Sequence, residues 1–486
     1  MTEKELTQLA LDTVTGAGAT YGDCRLVEEK SEAITVKNGK VGSISASTSY
    51  GYGIRVIAGG AWGFASSDDM STEGVKKTAL KAIAIAKASA LFKKKDVQLA
   101  PEEKQEGVWK APFQKDPFSI ALNDKVSLLL ETDKIARGVK GITVFEGSMN
   151  FIREIKTFAS TNGSYIHQER FRTGAGFSAS AFDKGELQER SFPASFGGQW
   201  SCRGYEMVEE WKFLDNAQRI AEEAVALLAA PQCPSGEKDV ILESSQLALQ
   251  IHESVGHPIE LDRVLGTEAN YAGTSFLTLE KLNKLQYGSK LMNVVADATE
   301  AHGYGLGTFG YDDEGVPAQR NWIVKDGLFV GYMTSRETAP IVNANRSNGC
   351  MRADGWNRTP LIRMTNVSHL PGQGKLADLI ADTKDGIYMS TVRGWSIDDK
   401  RYNFQFGPEI AWEIKDGKLG RMLKNPSYGG ITPEFWNSMD AVCGPEEWVL
   451  WSVPNCGKGQ PGQSMGTGHG AASARFRKIK VGVAYG

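Results

Sequence analysis

Asn-Gly and Asp-Gly pairs punctuate the chain, among them Asn38-Gly39, Asn162-Gly163, Asp326-Gly327 and Asp416-Gly417. Both residues of such a pair tolerate positive φ, and the tight turn they form twists in the sense that antiparallel strands require. A chain built on these turns must fold largely through hairpins. Around the first turn the pattern predicts a strand over 27–36 and a return through Val41, Ile44, Ala46 and Thr48. Tyr52 to Ile57 and Ala61 to Ala65 form another pair about Gly59-Gly60. Near Asn162-Gly163 the strand-like runs are 142–145, 151–160, 165–172 and 176–182, with Lys184-Gly185 a weaker turn. Asp385-Gly386 offers a further turn near the C-terminus.

Helical periodicity separates these hairpins at 3–18, 71–90, 119–137 and 205–230, the last broken by Pro231. Residues 91–120 are polar, with prolines at 101, 112 and 117, and read as a connection. After a linker at 232–236 come a strand (239–242), a helix from Ser245, and a long Gly-rich, strand-prone stretch. The expected fold is α+β: an N-terminal module of antiparallel hairpins and helices, then a mostly antiparallel, curved or barrel-like C-terminal body. The expected domains are 1–115, 116–231 and 232–486.

With 486 residues the chain can bury its cores without disulfide staples. Its six cysteines, at 24, 202, 233, 350, 443 and 456, include no CxxC. Lys+Arg is 55 against Asp+Glu 58, which excludes a broad cationic field for a nucleic acid backbone. No apolar run approaches ~18 residues, so no membrane span is expected. The start, Met1-Thr-Glu-Lys-Glu-Leu, lacks a cationic-then-apolar leader, so the expected compartment is the cytoplasm.

The sharpest chemical feature is His252-Glu253-Ser254-Val255-Gly256-His257-Pro258. Its histidines are five apart, so this is not the zincin HExxH pattern. On a regular helix they would differ by ~140° about the axis. A π-type widening near Gly256 would bring them together, and Pro258 would end the helix just after. Two imidazoles leave a divalent ion short of ligands. The best remote candidate is Cys456, in a Gly-rich segment where Lys458 could stabilise a thiolate. Glu253 could act as base on a metal-activated water. Against this stands a plain reading: satisfied histidines, a small buried cysteine and an ordinary helix carboxylate.

The sequence resembles the TldD/PmbA family of zinc-dependent peptidases, on the TldD side. The match runs through Tyr52-Gly53-Ile54-Arg55-Val56, Gly60 to Ser66, the His252–His257 helix, Asp312-Asp313-Glu314-Gly315 and Asp326-Gly327. It continues through Val330 to Met333, Pro360 to Asn366, Asp382 to Arg393 and Cys456-Gly457-Lys458. The resemblance implies that His252, His257 and Cys456 hold one Zn(2+) per chain and that Glu253 serves hydrolysis. It also implies unfolded or short peptide substrates in an enclosed cleft. The expected partner is a second copy or a PmbA-like subunit, as homodimer or heterodimer.

A peptide-binding scaffold without turnover, and a hydrolase of another amide or ester, remain as alternatives. The oxyanion stabiliser is open among backbone N–H groups of 457–460 or 466–470, Tyr304, Arg336 and Arg363, and His302 is a candidate for the cleft. His167 and His369 read as ordinary. His469 stands where the family has a glutamine, and reads either as a proton donor near substrate or as a solvated loop residue.

Overall fold

The computed structural model describes residues 1–484. The first sheet grows from the predicted hairpins. β1 (Tyr21–Lys37) and β2 (Lys40–Ala58) pair antiparallel about Asn38-Gly39, from Lys37 opposite Lys40 to Tyr21 opposite Ile57. β3 (Ala61–Ser67) adds to β2. α1 (Glu3–Gly16) and α2 (Thr72–Ala90) lie on this end. Their Leu6, Ala10, Val14, Ala79 and Ala82 are buried in one core with Cys24, Leu26, Tyr52 and Ile54 of the strands.

The central segment extends the same sheet. It holds β4 (Glu106–Lys110), α3 (Leu122–Gly138), β5 (Ile142–Ser160), β6 (Tyr165–Asp183), β7 (Glu186–Phe192) and β8 (Gln199–Ser201). The strand order is β3-β2-β1-β5-β6-β4, with β7 and β8 also on β6. The expected run pairs 142–145/151–160 and 165–172/176–182 are each one continuous strand. The polar stretch Glu146–Asn150, which reads as a break, pairs with Gly174–Ser178 across the ladder. The expected connection contains β4, which joins β6 in parallel. The expected helix over 205–230 is two, α4 (Glu206–Glu210) and α5 (Phe213–Ala229). Lys212 between them is left-handed at φ 46°, and Trp211 stacks on Trp451 with centroids 5.6 Å apart.

The C-terminal body begins with β9 (Gly236–Leu242) and α6 (Ser244–Ile251), followed by β10 (Val294–Asp297), β11 (Arg320–Lys325) and β12 (Leu328–Phe329). The short β13 (Met351–Arg352) and β14 (Leu361–Ile362) pair together, and β15 (Asn366–His369) follows. Next are β16 (Asp385–Ile397), β17 (Asn403–Lys415), β18 (Lys418–Leu423), β19 (Pro426–Ile431) and β20 (Met439–Val442). β21 (Val449–Lys458), β22 (Gln463–Ala471) and β23 (Ala474–Val483) complete the chain.

One sheet runs β16-β9-β23-β19-β17 and closes where β17 pairs β16 again, which makes the expected barrel. The other runs β12-β11-β10-β15-β22-β21. Asp326-Gly327 and Asp416-Gly417 make their turns, between β11 and β12 and between β17 and β18. Asp385-Gly386 does not: it opens β16, where Gly386 lies opposite Ile414. The core between the two sheets gathers Ile251, Val255, Met364, Phe404, Phe435, Trp436 and Phe476. Among the described residues no helix is long and apolar enough to cross a membrane.

Candidate metal centre

α6 leaves β9 and runs through the core between the sheets. Every residue from Ser244 to Ile251 is buried, and its buried glutamines find partners: Gln246 Nε2 donates to Tyr428 Oη and Gln250 Nε2 to Ser254 Oγ, each at 3.0 Å. Glu243 caps it by accepting the Ser245 N–H at 2.9 Å. At His252 the helix widens into a π turn, His252–Gly256, in which the His257 N–H donates to the His252 carbonyl. This is the widening that the five-residue spacing called for, and it sets the two imidazoles edge to face with centroids 4.9 Å apart. Ser254 anchors the turn. Its Oγ donates to the Gln250 carbonyl at 2.6 Å and accepts from Trp436 Nε1 at 2.9 Å.

Gly256 is needed for a different reason than backbone freedom. Its φ is −60°, ordinary for any residue. A Cβ there would lie 2.2 Å from Met364 Sδ, so any side chain would force the buried Met364 to shift.

Cys456 comes from β21. It is buried on a strand rather than exposed in a Gly-rich loop. Opposite β22, Val453 pairs with Thr467 and Cys456 with Met465, so the β21 side carries one extra residue. This bulge puts Cys456 on the same face as Thr467, and bulges commonly re-aim a side chain in this way. His252, His257 and Cys456 each then offer one ligand atom, all within 4.8 Å of one another. Zinc ligands at ~2.1 Å (nitrogen) and ~2.3 Å (sulfur) on a tetrahedron stand ~3.6 Å apart. Cys456 Sγ to His257 Nε2 is 3.6 Å. The residues present therefore fit a zinc ion.

Each imidazole is held from behind at Nδ1. His257 Nδ1 faces Glu260 Oε2 at 3.1 Å. Glu260 is fully buried and paired with Lys458 Nζ at 3.2 Å, and Lys458 also reaches Asp262 at 2.7 Å. Lys458 thus serves these carboxylates and does not stabilise a thiolate directly. His252 Nδ1 faces His469 Nε2 at 2.8 Å. His469 is fully buried, which contradicts the solvated-loop reading of that residue. Partners at the remote ring nitrogen are the usual device for orienting metal-binding histidines.

Burial pushes the His252 imidazole down to about 4, and pushes His257 well below the ordinary histidine value. Both are neutral at pH 7, as ligands must be. Burial pushes the Cys456 thiol up, but the neighbouring His257 and Arg363 outweigh it and hold the thiol below its usual value.

Glu253 is buried beside the trio, and its carboxylate pairs with Arg401. Arg401 lies 148 residues away in sequence, and the sequence reading did not single it out. Its backbone is left-handed at φ 63°. Arg363 is also buried here and donates from Nη2 to the Cys456 carbonyl. Its Nε and Nη1 have no partner among the described residues. Two other side-chain candidates are engaged with different partners: Tyr304 donates to Glu300 at 2.9 Å, and Arg336 is tied to the Ala100 carbonyl at 3.0 Å. His302 packs near Trp448 with centroids 5.7 Å apart.

Three family models match in order: PmbA/TldA metallopeptidase domain 1 over residues 22–86, the central domain over 115–230 and the C-terminal domain over 235–483. A metalloprotease of Methanocaldococcus jannaschii is 31% identical over 457 residues, covering 94% of this chain and 95% of that protein. One of Methanothermobacter thermautotrophicus is 28% identical over 465 residues, covering 95% of each. Among solved structures, TldE from Thermococcus kodakarensis superposes with a TM-score of 0.73 over 99% of both chains at 17% identity, a likeness of fold.

Proposed function

The chain belongs to the PmbA/TldD metallopeptidase family, and on that premise we propose that it is a zinc-dependent peptidase with its centre at His252, His257 and Cys456 and with Glu253 as its base. The observation that carries the reading is the convergence of these three donors from a π turn and a bulged strand. A His₂Cys donor set favours zinc over magnesium or calcium by ligand softness. Bound there, zinc would supply Lewis acidity toward a peptide carbonyl and a water molecule.

The chain's own residues do the rest. His252 and His257 would hold the ion as neutral rings, and Cys456 would hold it as thiolate. A thiolate is a strong donor and would temper the acidity of a bound ion, so help from a base would matter more. Glu253 takes the proton from the attacking water and passes it to the leaving amine. Arg401 holds the Glu253 carboxylate in one orientation. Arg363, with two unpartnered donors beside Cys456, is the candidate to receive the carbonyl oxygen as charge develops on it.

Substrates on this reading are short or unfolded peptides. A groove of about 690 Å³, lined by Ser195, Phe196 and Val392, opens between the first sheet and the C-terminal body. A smaller cavity lined by the same three residues reaches Ala248 and Leu249 of α6. Neither is lined by His252, Glu253, His257 or Cys456, so the enclosed cleft rests on the family resemblance. The three-domain division 1–115, 116–231 and 232–486 and assembly as a homodimer, or as a heterodimer with a PmbA-like subunit, belong to the same proposal.

The test is metal content and peptide cleavage of the purified chain beside Cys456→Ala and Glu253→Gln. About one zinc per chain is expected, lost in C456A, with E253Q keeping zinc and losing ~10²–10⁴-fold in turnover. A folded wild type that takes up no zinc would overturn the metallopeptidase reading and favour a scaffolding subunit. Turnover surviving in zinc-loaded E253Q would overturn the assigned base.

A further inference from the structure

We propose that His469 is a positioning residue that fixes the tautomer of His252 and so turns its Nε2 lone pair toward the other two donors. The inference rests on the metal-centre reading above and extends it to a residue 217 positions from His252.

The argument is one of hydrogen-bond direction. His469 Nδ1 lies 3.0 Å from the Val367 carbonyl oxygen. A carbonyl can only accept, so Nδ1 carries the proton. A neutral imidazole has one N–H, which leaves His469 Nε2 as an acceptor. Two donors meet it: Thr467 Oγ1 at 2.9 Å and His252 Nδ1 at 2.8 Å. If His252 carried its proton on Nε2, two lone pairs would face each other across that 2.8 Å contact. The His252 proton therefore sits on Nδ1, and Nε2 is free to bind.

The secondary structure holds this chain in place. Thr467 and His469 alternate along β22 and share one face. β22 joins β15 in parallel, with Asn366 opposite Gly468, and this brings the Val367 carbonyl under the His469 ring. The rings of His252 and His469 stand edge to face with centroids 4.7 Å apart. No charged group takes part, so the orientation is set by direction alone.

A glutamine can make both bonds, donating from Nε2 to Val367 and accepting at Oε1 from His252, whereas leucine can make neither. The experiment measures zinc affinity by chelator competition for wild type, His469→Gln and His469→Leu. It is paired with ¹⁵N spectra of histidine-labelled, zinc-free protein to read the His252 tautomer. H469L is expected to bind zinc ~10–100-fold more weakly, with H469Q close to wild type and His252 in the Nδ1–H form in both wild type and H469Q. Equal affinity in H469L, or H469Q as weak as H469L, would overturn the proposal. The wild-type spectrum keeps the test sharp if H469L fails to fold: an Nε2–H tautomer at His252 would overturn it by itself. A wild type that shows the Nδ1–H form yet takes up no zinc would sustain this proposal and sink the metal-centre reading.

Discussion

His252 and His257 lie five residues apart on one turn, yet the ground behind them differs in kind. Behind His257 is a buried ionic cluster. Glu260 and Asp262 share Lys458, and Glu268 pairs with Arg263 at 2.9 Å. Behind His252 is a neutral chain, His469 to the Val367 carbonyl with Thr467 beside it. Charges without water stay tolerable only while each has its partner, so the first side is costly to disturb. The neutral side exchanges ordinary hydrogen bonds, and removing one partner there costs less folding stability than stranding a buried charge. Two ligands of one site can therefore be oriented with equal definition and very unequal exposure to damage.

That contrast can be broken most forcefully at Lys458. Lys458→Met strands Glu260 and Asp262 without their cation and should cost ~3–5 kcal/mol of folding stability, read from urea midpoints of the zinc-free protein. An equal loss from a single substitution on the His469 side would erase the asymmetry.

The next effect is one of pH and belongs to the neutral side. His369 ends β15, two residues from Val367, and burial pushes its imidazole down to about 4. An unfolded histidine titrates near ~6.5, so between these values the unfolded chain binds a proton that the fold excludes. The contribution is whole above pH ~6.5 and is lost as pH falls toward ~4, up to ~3 kcal/mol in all. His369→Phe should flatten that acid limb. An unchanged slope would assign it to other groups.

Glu260→Gln sharpens the comparison at the ligand itself. It keeps a hydrogen-bond acceptor for His257 Nδ1 but removes the charge, and zinc affinity should fall ~10–100-fold. Retained affinity would mean that geometry alone supports both rings. The smallest expected effect is Thr467→Val, which removes one of two donors to His469 Nε2. About 1 kcal/mol or less of stability and little change in zinc affinity are expected by the same measurements.

Local chemistry was legible wherever its partners were close in sequence. The Asn38-Gly39, Asn162-Gly163, Asp326-Gly327 and Asp416-Gly417 turns each join neighbouring strands, because a tight turn specifies its own hairpin. The π turn was legible too, since the spacing of His252 and His257 makes sense only with a widened helix. Asp385-Gly386 misled because its neighbours, not its own conformation, decide its place: β16 pairs β9 on one side and β17 on the other. The break at Lys212 was invisible because it accommodates Trp211 against Trp451, a contact with another part of the chain. Arg401 and the inward face of His469 were missed for the same reason.

By itself, then, the sequence determined the hairpins, the helix bearing two imidazoles at a spacing that suits a widened turn, and the resemblance that singled out Cys456 and Glu253. Tertiary structure alone decided that Cys456 faces His257, that Lys458 serves Glu260 and Asp262, that Arg401 meets Glu253, and that His469 stands behind His252. The physical reason is range. Turn and helix geometry is set by residues within a few positions, whereas these contacts depend on how β21 bulges and which strand lies beside β22.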